Sequence, residues 1–262
     1  MLNNMLKKLL SLPFIFVVLL SVACNTTQVD NKTIDYQNYP ITEEIQVDSL
    51  SDFVNTINTY RKELIDEMSV VVGYSSMYMP IERPESLLSN MVADFTWKLG
   101  KEYCKENHLP YTVDASIINI GGLRKPLPEG EIILSDIYEI SPFENKLYIV
   151  AMYGKDLRKL FDHITRSGGE GVGNIRLIAD KETHKLKEAY INNEPLNDEK
   201  IYHIISIDYL ISGGDGMVSF SKKIDEIDMN LKSRDALLEY VKQEHAANRP
   251  LTSRLDKRIS YE

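Results

Sequence analysis

Apolar residues at Leu50, Phe53, Val54, Ile57, Tyr60, Leu64, Ile65 and Met68 recur at the spacing of one helix face, with polar residues between them. The spacing predicts an amphipathic helix from Leu50 to Met68. Ser69-Val70-Val71-Val72-Gly73 reads as a buried strand, and Leu87 to Leu99 as a second helix that stops at Gly100. Ala115-Ser116-Ile117-Ile118-Asn119 is a short apolar strand running into Gly121-Gly122, and Ser135-Asp136-Ile137-Tyr138 signals a short helix. Further on come a strand over Lys146 to Tyr153 and a helix over Gly154 to Ile164, with Leu157, Leu160, Phe161 and Ile164 on one face. Ile175 to Ala179 and Leu186 to Ile191 resemble a hairpin, Ile201 to Ile207 is the most strand-like run, and Ser233 to His245 reads as the last helix. This irregular alternation predicts an α+β (mixed α/β) fold, mixed sheets flanked by helices, rather than a doubly wound parallel sheet.

The first 23 residues follow a different pattern. Lys7 and Lys8 precede fifteen uncharged residues, Leu9 to Ala23, and then Cys24. The run is short for a bilayer span and contains Pro13, so it reads as a cleaved signal. Leu20-Ser21-Val22-Ala23-Cys24 resembles a bacterial lipobox, which makes Cys24 the lipidation candidate; an ordinary signal followed by a chance cysteine is the alternative. Residues 24–45 read as a polar tether with too little apolar content to offset the entropy of ordering it, and residues 46–262 as the folded domain. The expected location is the bacterial cell envelope, lipid-anchored, facing the periplasm or the surface.

Composition changes the picture mainly by exclusion. Lys and Arg number 30 against 39 Asp and Glu, a net charge of −9 that becomes −11 once Lys7 and Lys8 leave with the signal. So acidic a surface argues against a nucleic-acid partner, which needs clustered cations. The two cysteines, Cys24 and Cys104, supply no disulfide framework if Cys24 is lipidated. None of the five histidines is followed by a second His or Cys two to four residues later, so no metal site is expected in this chain. There is no phosphate-loop signature and no nucleophile elbow, and Gly168-Gly169-Glu170-Gly171-Val172-Gly173, out of register for a dinucleotide loop, reads as a mobile loop. No catalytic residue is assigned.

Three clusters suit one ligand. Asn119-Ile120-Gly121-Gly122-Leu123-Arg124 offers an amide, glycines that permit close approach and positive φ, and an arginine fork matched to phosphate. A tight turn with a solvated arginine would account for it equally. In Ser141-Pro142-Phe143-Glu144-Asn145 the proline fixes a turn able to present Phe143 as a stacking plate, the alternative being a core phenylalanine. In Asp208-Tyr209-Leu210-Ile211-Ser212-Gly213-Gly214-Asp215-Gly216, Asp215 is placed to accept two hydroxyls and Tyr209 to supply a second aromatic face, although an aspartate in a glycine turn is often only a turn former.

Taken together with Glu85-Ser86-Leu87-Leu88-Ser89-Asn90-Met91-Val92-Ala93-Asp94, these runs resemble, in order, the landmarks of the C-terminal domain of 5'-nucleotidases and UDP-sugar hydrolases over about residues 69 to 220. The resemblance implies that Phe143 and Tyr209 sandwich a nucleobase, that Asp215 takes the ribose hydroxyls, and that Arg124 with Asn119 contacts phosphate or base. Gly121, Gly122, Asn145 and Gly214 belong to the same motifs, and Arg83 is the nearest candidate for a further phosphate-binding arginine. Two departures are visible. Tyr209 stands where the family commonly has Phe, and Glu144, where it commonly has Gly, adds a charge that would disfavour highly phosphorylated ligands. Full-length members carry an N-terminal metallophosphatase domain holding two divalent metals, for which the roughly 45 residues before the folded domain leave no room.

The expectation is therefore the nucleotide-binding half of a split 5'-nucleotidase-type hydrolase, without a cofactor of its own. Its partners would be a nucleotide or nucleoside, a separate metallophosphatase chain carrying the metals, and a membrane reached through the lipid. The alternative is an envelope lipoprotein that binds nucleosides or nucleotides without hydrolysis.

Overall fold

The computed structural model describes residues 51–262. The signal, Cys24 and the tether lie outside the described residues. The predicted first helix is present as α1 (Ser51–Met68), but Ile57, Tyr60, Leu64 and Ile65 on its apolar face are exposed, so amphipathic spacing does not here mean burial. It leads into β1 (Val71–Ser75), which pairs antiparallel with β3 (Gly130–Ile133).

Five strands form the central sheet: β2 (Ala115–Ile118), β4 (Lys146–Tyr153), β5 (Gly171–Gly173), β9 (Ile201–Ile207) and β10 (Asp225–Lys232), in the order β10-β4-β9-β2-β5. Strand β9 runs parallel to β2 and antiparallel to β4, with Ser116 opposite Ile205 and Leu147 opposite Ile207. Ile204 to Ile207 are buried without alternation, the mark of a strand covered on both faces. A second sheet, order β11-β6-β7-β8, is built from β6 (Ile175–Ala179), β7 (Leu186–Ile191), β8 (Glu194–Pro195) and β11 (Ile259–Tyr261). The predicted hairpin is β6 and β7. The mixed sheets flanked by helices agree with the expected fold class.

Helix α2 (Leu87–Glu106) packs on β2, β5 and β9. It opens on a reciprocal cap, Ser86 Oγ accepting from the Ser89 N–H at 3.1 Å and Ser89 Oγ from the Ser86 N–H at 3.0 Å. The helix passes through Gly100 rather than stopping there, because a Cβ at that position would stand 2.9 Å from Val113 Cγ2: the glycine serves close packing, not termination. Helix α3 (Leu134–Ile140) is the short predicted one. Helix α4 (Gly154–Arg166) buries Leu157, Leu160, Phe161 and Ile164 completely, worth about 1.5–3 kcal/mol each. After α5 (Asp208–Ile211), the last helix is α6 (Ser233–Ala246).

The glycine stretch read as a mobile loop is corrected by the structure. Gly171, Val172 and Gly173 form strand β5, fully buried against α2. A side chain at Gly171 would strike Ile118, and a Cβ at Gly173 would lie 2.6 Å from the Ala93 carbonyl oxygen. These glycines let a helix lie directly on the sheet edge. Gly173→Ala is accordingly expected to lower stability by about 1–3 kcal/mol, measured as a shift of the urea midpoint; an unchanged midpoint would mean that α2 can lift off β5 freely.

Candidate functional site

Because β2 and β9 are parallel and β4 antiparallel to β9, the C-terminal ends of β2 and β9 and the N-terminal end of β4 meet at one end of the sheet. Asn119 follows β2, Asn145 precedes β4, and Tyr209 lies just beyond β9. Asn119, Gly121, Gly122, Arg124, Phe143, Asn145, Tyr209 and Asp215 line one open cavity of about 390 Å³. Phe143 and Tyr209 are 47% and 44% exposed, so Phe143 is not a core residue and both rings are available to a flat ligand. An adjoining cavity of about 40 Å³ shares Asn119, Gly122, Phe143 and Asn145 and continues into apolar side chains including Phe95, Ile118 and Ile207.

Each cluster is held differently. Ile120–Gly122 is a 3-10 turn capped by Asn119, whose Oδ1 accepts from the Gly122 N–H. Neither glycine has positive φ; a Cβ on them would lie 3.1 and 3.3 Å from Asn119 Oδ1, so the anticipated left-handed conformation gives way to a space requirement. Arg124 Nη1 donates to the Gly121 carbonyl at 3.2 Å. The loop 141–145 is braced by Arg234, which lies 4.5 Å over the Tyr138 ring and donates to the Pro142 carbonyl and to Glu144, each at 3.2 Å. Hydrogen bonding from Lys232, with Arg234 adding to it, holds the Glu144 carboxyl below its ordinary range. Its charge is thus paired within the chain, and it is not among the residues that line the cavity.

Asp215 adopts φ +50°, a conformation aspartate tolerates better than most residues. Its carboxylate accepts from the Tyr209 hydroxyl at 2.7 Å and from the Asn119 amide, joining two clusters 96 residues apart. His163 Nε2 donates to the Asp215 carbonyl at 2.8 Å. Gly214 lies under the Tyr209 ring: a Cβ there would be 2.6 Å from Cζ. Gly214 therefore shapes the site without lining the cavity.

Arg83 is not brought to the cavity. Its guanidinium donates to the Gly169 carbonyl and, at 3.0 Å, to Glu170. Glu170, buried, accepts also from the Ile120 N–H at 2.7 Å and so supports the turn that carries Asn119. Sequence reasoning missed this strut; a single acid among glycines was its only trace. Burial pushes the Glu170 carboxyl up, the Ile120 N–H and Arg83 offsetting this only in part. Its folded-state value thus lies above that of the unfolded chain, and its stabilisation is complete below the ordinary glutamate range and lost as pH rises through the raised value. Glu170→Gln is expected to flatten the fall of the urea midpoint as pH rises above the ordinary glutamate range. An unaltered slope would show that the carboxylate is fully compensated.

Among the described residues no three His, Cys, Asp or Glu side chains come together in a group that could hold a metal ion.

The sequence profile of the family described as "5'-nucleotidase, C-terminal domain" matches residues 71–222. A 5'-nucleotidase-related protein of Glossina morsitans morsitans is 24% identical over 87% of this chain and 47% of its own length. A 5'-nucleotidase of Bos taurus is 30% identical over 61% of this chain and 32% of its own. The crystal structure of a 5'-nucleotidase precursor from Thermus thermophilus shares the fold with a TM-score of 0.67 at 21% identity, over 80% of this chain and 43% of that one. The chain spans about half the length, or less, of these relatives.

Proposed function

Since the chain belongs to the 5'-nucleotidase C-terminal domain family, we propose that it is the nucleotide-binding half of a split phosphoester hydrolase. The observation that supports this reading is the convergence of sequence-distant clusters on one cavity, with two half-exposed rings, a carboxylate and one cation among its lining residues. Phe143 and Tyr209 take a base between them, Asp215 accepts sugar hydroxyls, and Arg124 with Asn119 meets phosphate or base. Binding fixes the orientation of the phosphoester, and hydrolysis falls to a separate metallophosphatase chain that brings both metals. In this reading Cys24 carries the lipid that holds the protein at the cell envelope.

The test is calorimetric titration of the purified chain with AMP, adenosine and UDP-glucose, with phosphate release followed in parallel. Binding without release is expected, and AMP affinity, unlike that of adenosine, should fall as salt is raised because Arg124 is exposed. Phe143→Ala should weaken binding about fivefold or more, the range of one base stacked on one ring. Failure of all three ligands to bind overturns the proposal.

A further inference from the structure

Tyr209 does more at this cavity than offer a face. Its hydroxyl donates to Asp215 Oδ1 at 2.7 Å, while the Asn119 amide donates to Oδ2. Each oxygen of the carboxylate therefore has a partner inside the chain before any ligand arrives. A carboxylate accepts about four hydrogen bonds in all, and only some of those directions face a cavity. The tyrosine ring is also closely packed on one side. It lies on Gly214, where a Cβ would be 2.6 Å from Cζ and 2.7 Å from Cε1, and Asp215 is itself fixed in a left-handed turn with His163 on its carbonyl. The Tyr209 phenol is pushed up by the Asp215 hydrogen bond, and so remains a donor at neutral pH.

A ligand diol meeting this carboxylate would compete with a donor that is already in place and packed. We propose that the Tyr209 hydroxyl stands in for one sugar hydroxyl at Asp215, so that the site takes nucleosides and nucleotides lacking one of the two ribose hydroxyls about as well as their ribo counterparts. This inference rests on the nucleotide-binding reading above and adds the sugar class. Tyr209 is then a specificity residue through its oxygen, separately from any stacking by its ring.

The experiment titrates the purified chain and its Tyr209→Phe variant with adenosine, 2'-deoxyadenosine and 3'-deoxyadenosine. The phenylalanine keeps the stacking face and removes only the oxygen. For the unaltered chain, at least one deoxynucleoside is expected to bind within about threefold of adenosine. In Tyr209→Phe the freed Oδ1 accepts the second hydroxyl, and the preference for adenosine over that deoxynucleoside widens about tenfold, the effect of one hydrogen bond to a charged group. A preference already above tenfold against both deoxynucleosides in the unaltered chain, or one that widens less than threefold in the variant, overturns the inference and leaves the nucleotide-binding reading standing. Absence of binding by all three nucleosides to both proteins overturns the reading itself. Circular dichroism of the variant confirms that it is folded.

Discussion

Arg258→Ala is expected to lower the unfolding free energy by about 3 kcal/mol, the lower end of the range for breaking a buried ion pair from one side. Arg258 is 7% exposed and donates to both oxygens of Asp94 at 2.8 and 2.7 Å, to Asp256 at 2.8 Å and to the Val172 carbonyl at 2.9 Å. Burial works against the guanidinium charge, yet the two carboxylates outweigh it and hold Arg258 firmly protonated. The lower end applies because the side chains of Asp94 and Asp256 remain 41% and 31% exposed, so water can solvate them once the arginine is gone. The loss reaches beyond one pair. Glu85 accepts from the Lys257 and Arg258 N–H groups at 2.9 and 3.2 Å, and Asn90 donates to the Arg254 carbonyl at 2.9 Å. The run from Glu85 to Asp94, a landmark of the family resemblance, thus latches the C-terminal segment, through which β11 joins β6. Urea unfolding followed by tryptophan fluorescence measures the change, Trp97 being the single tryptophan. A loss under about 1 kcal/mol would show that the C-terminal segment does not depend on this arginine.

That latch illustrates where sequence reading stops. The segments with a strong local signal are legible: helical spacing marks α4, and apolar, β-branched runs mark β4, β9 and the β6–β7 hairpin. Strand β5 is not, since glycine carries no hydrophobic signal and its requirement arises from tertiary neighbours, Ile118 and Ser116 of β2 and Ala93 of helix α2. Strand β10 is polar at most positions and is a strand through its pairing with β4. The site divides the same way. Asn119, Arg124, Phe143, Tyr209 and Asp215 could be named from residue type and neighbouring glycine or proline, but their convergence depends on the parallel pairing of β2 and β9. Arg83 was a reasonable phosphate candidate by position; its engagement by Glu170, 87 residues away, is a purely tertiary fact.

Asp215→Asn is expected to weaken nucleoside binding about tenfold while leaving stability within about 0.5 kcal/mol, because it removes charge without altering shape. Asparagine, like aspartate, tolerates the φ of +50° found here, whereas alanine does not. Asp215→Ala would therefore lose affinity together with about 1 kcal/mol of stability, and cannot separate the two causes. With asparagine in place, the amide oxygen can still accept from the Asn119 amide, and the amide nitrogen can donate to the Tyr209 oxygen, which accepts as well as donates, so the internal contacts are kept. A ligand hydroxyl then meets a neutral acceptor at best, and charge-assisted hydrogen bonds are roughly twice as strong as neutral ones. Thermal melts of the free variant, set beside calorimetric titration with adenosine, read the two quantities separately. Unchanged affinity with unchanged melting would place the sugar away from Asp215, and reduced affinity with an equal fall in stability would make Asp215 a residue of the turn rather than of the ligand contact.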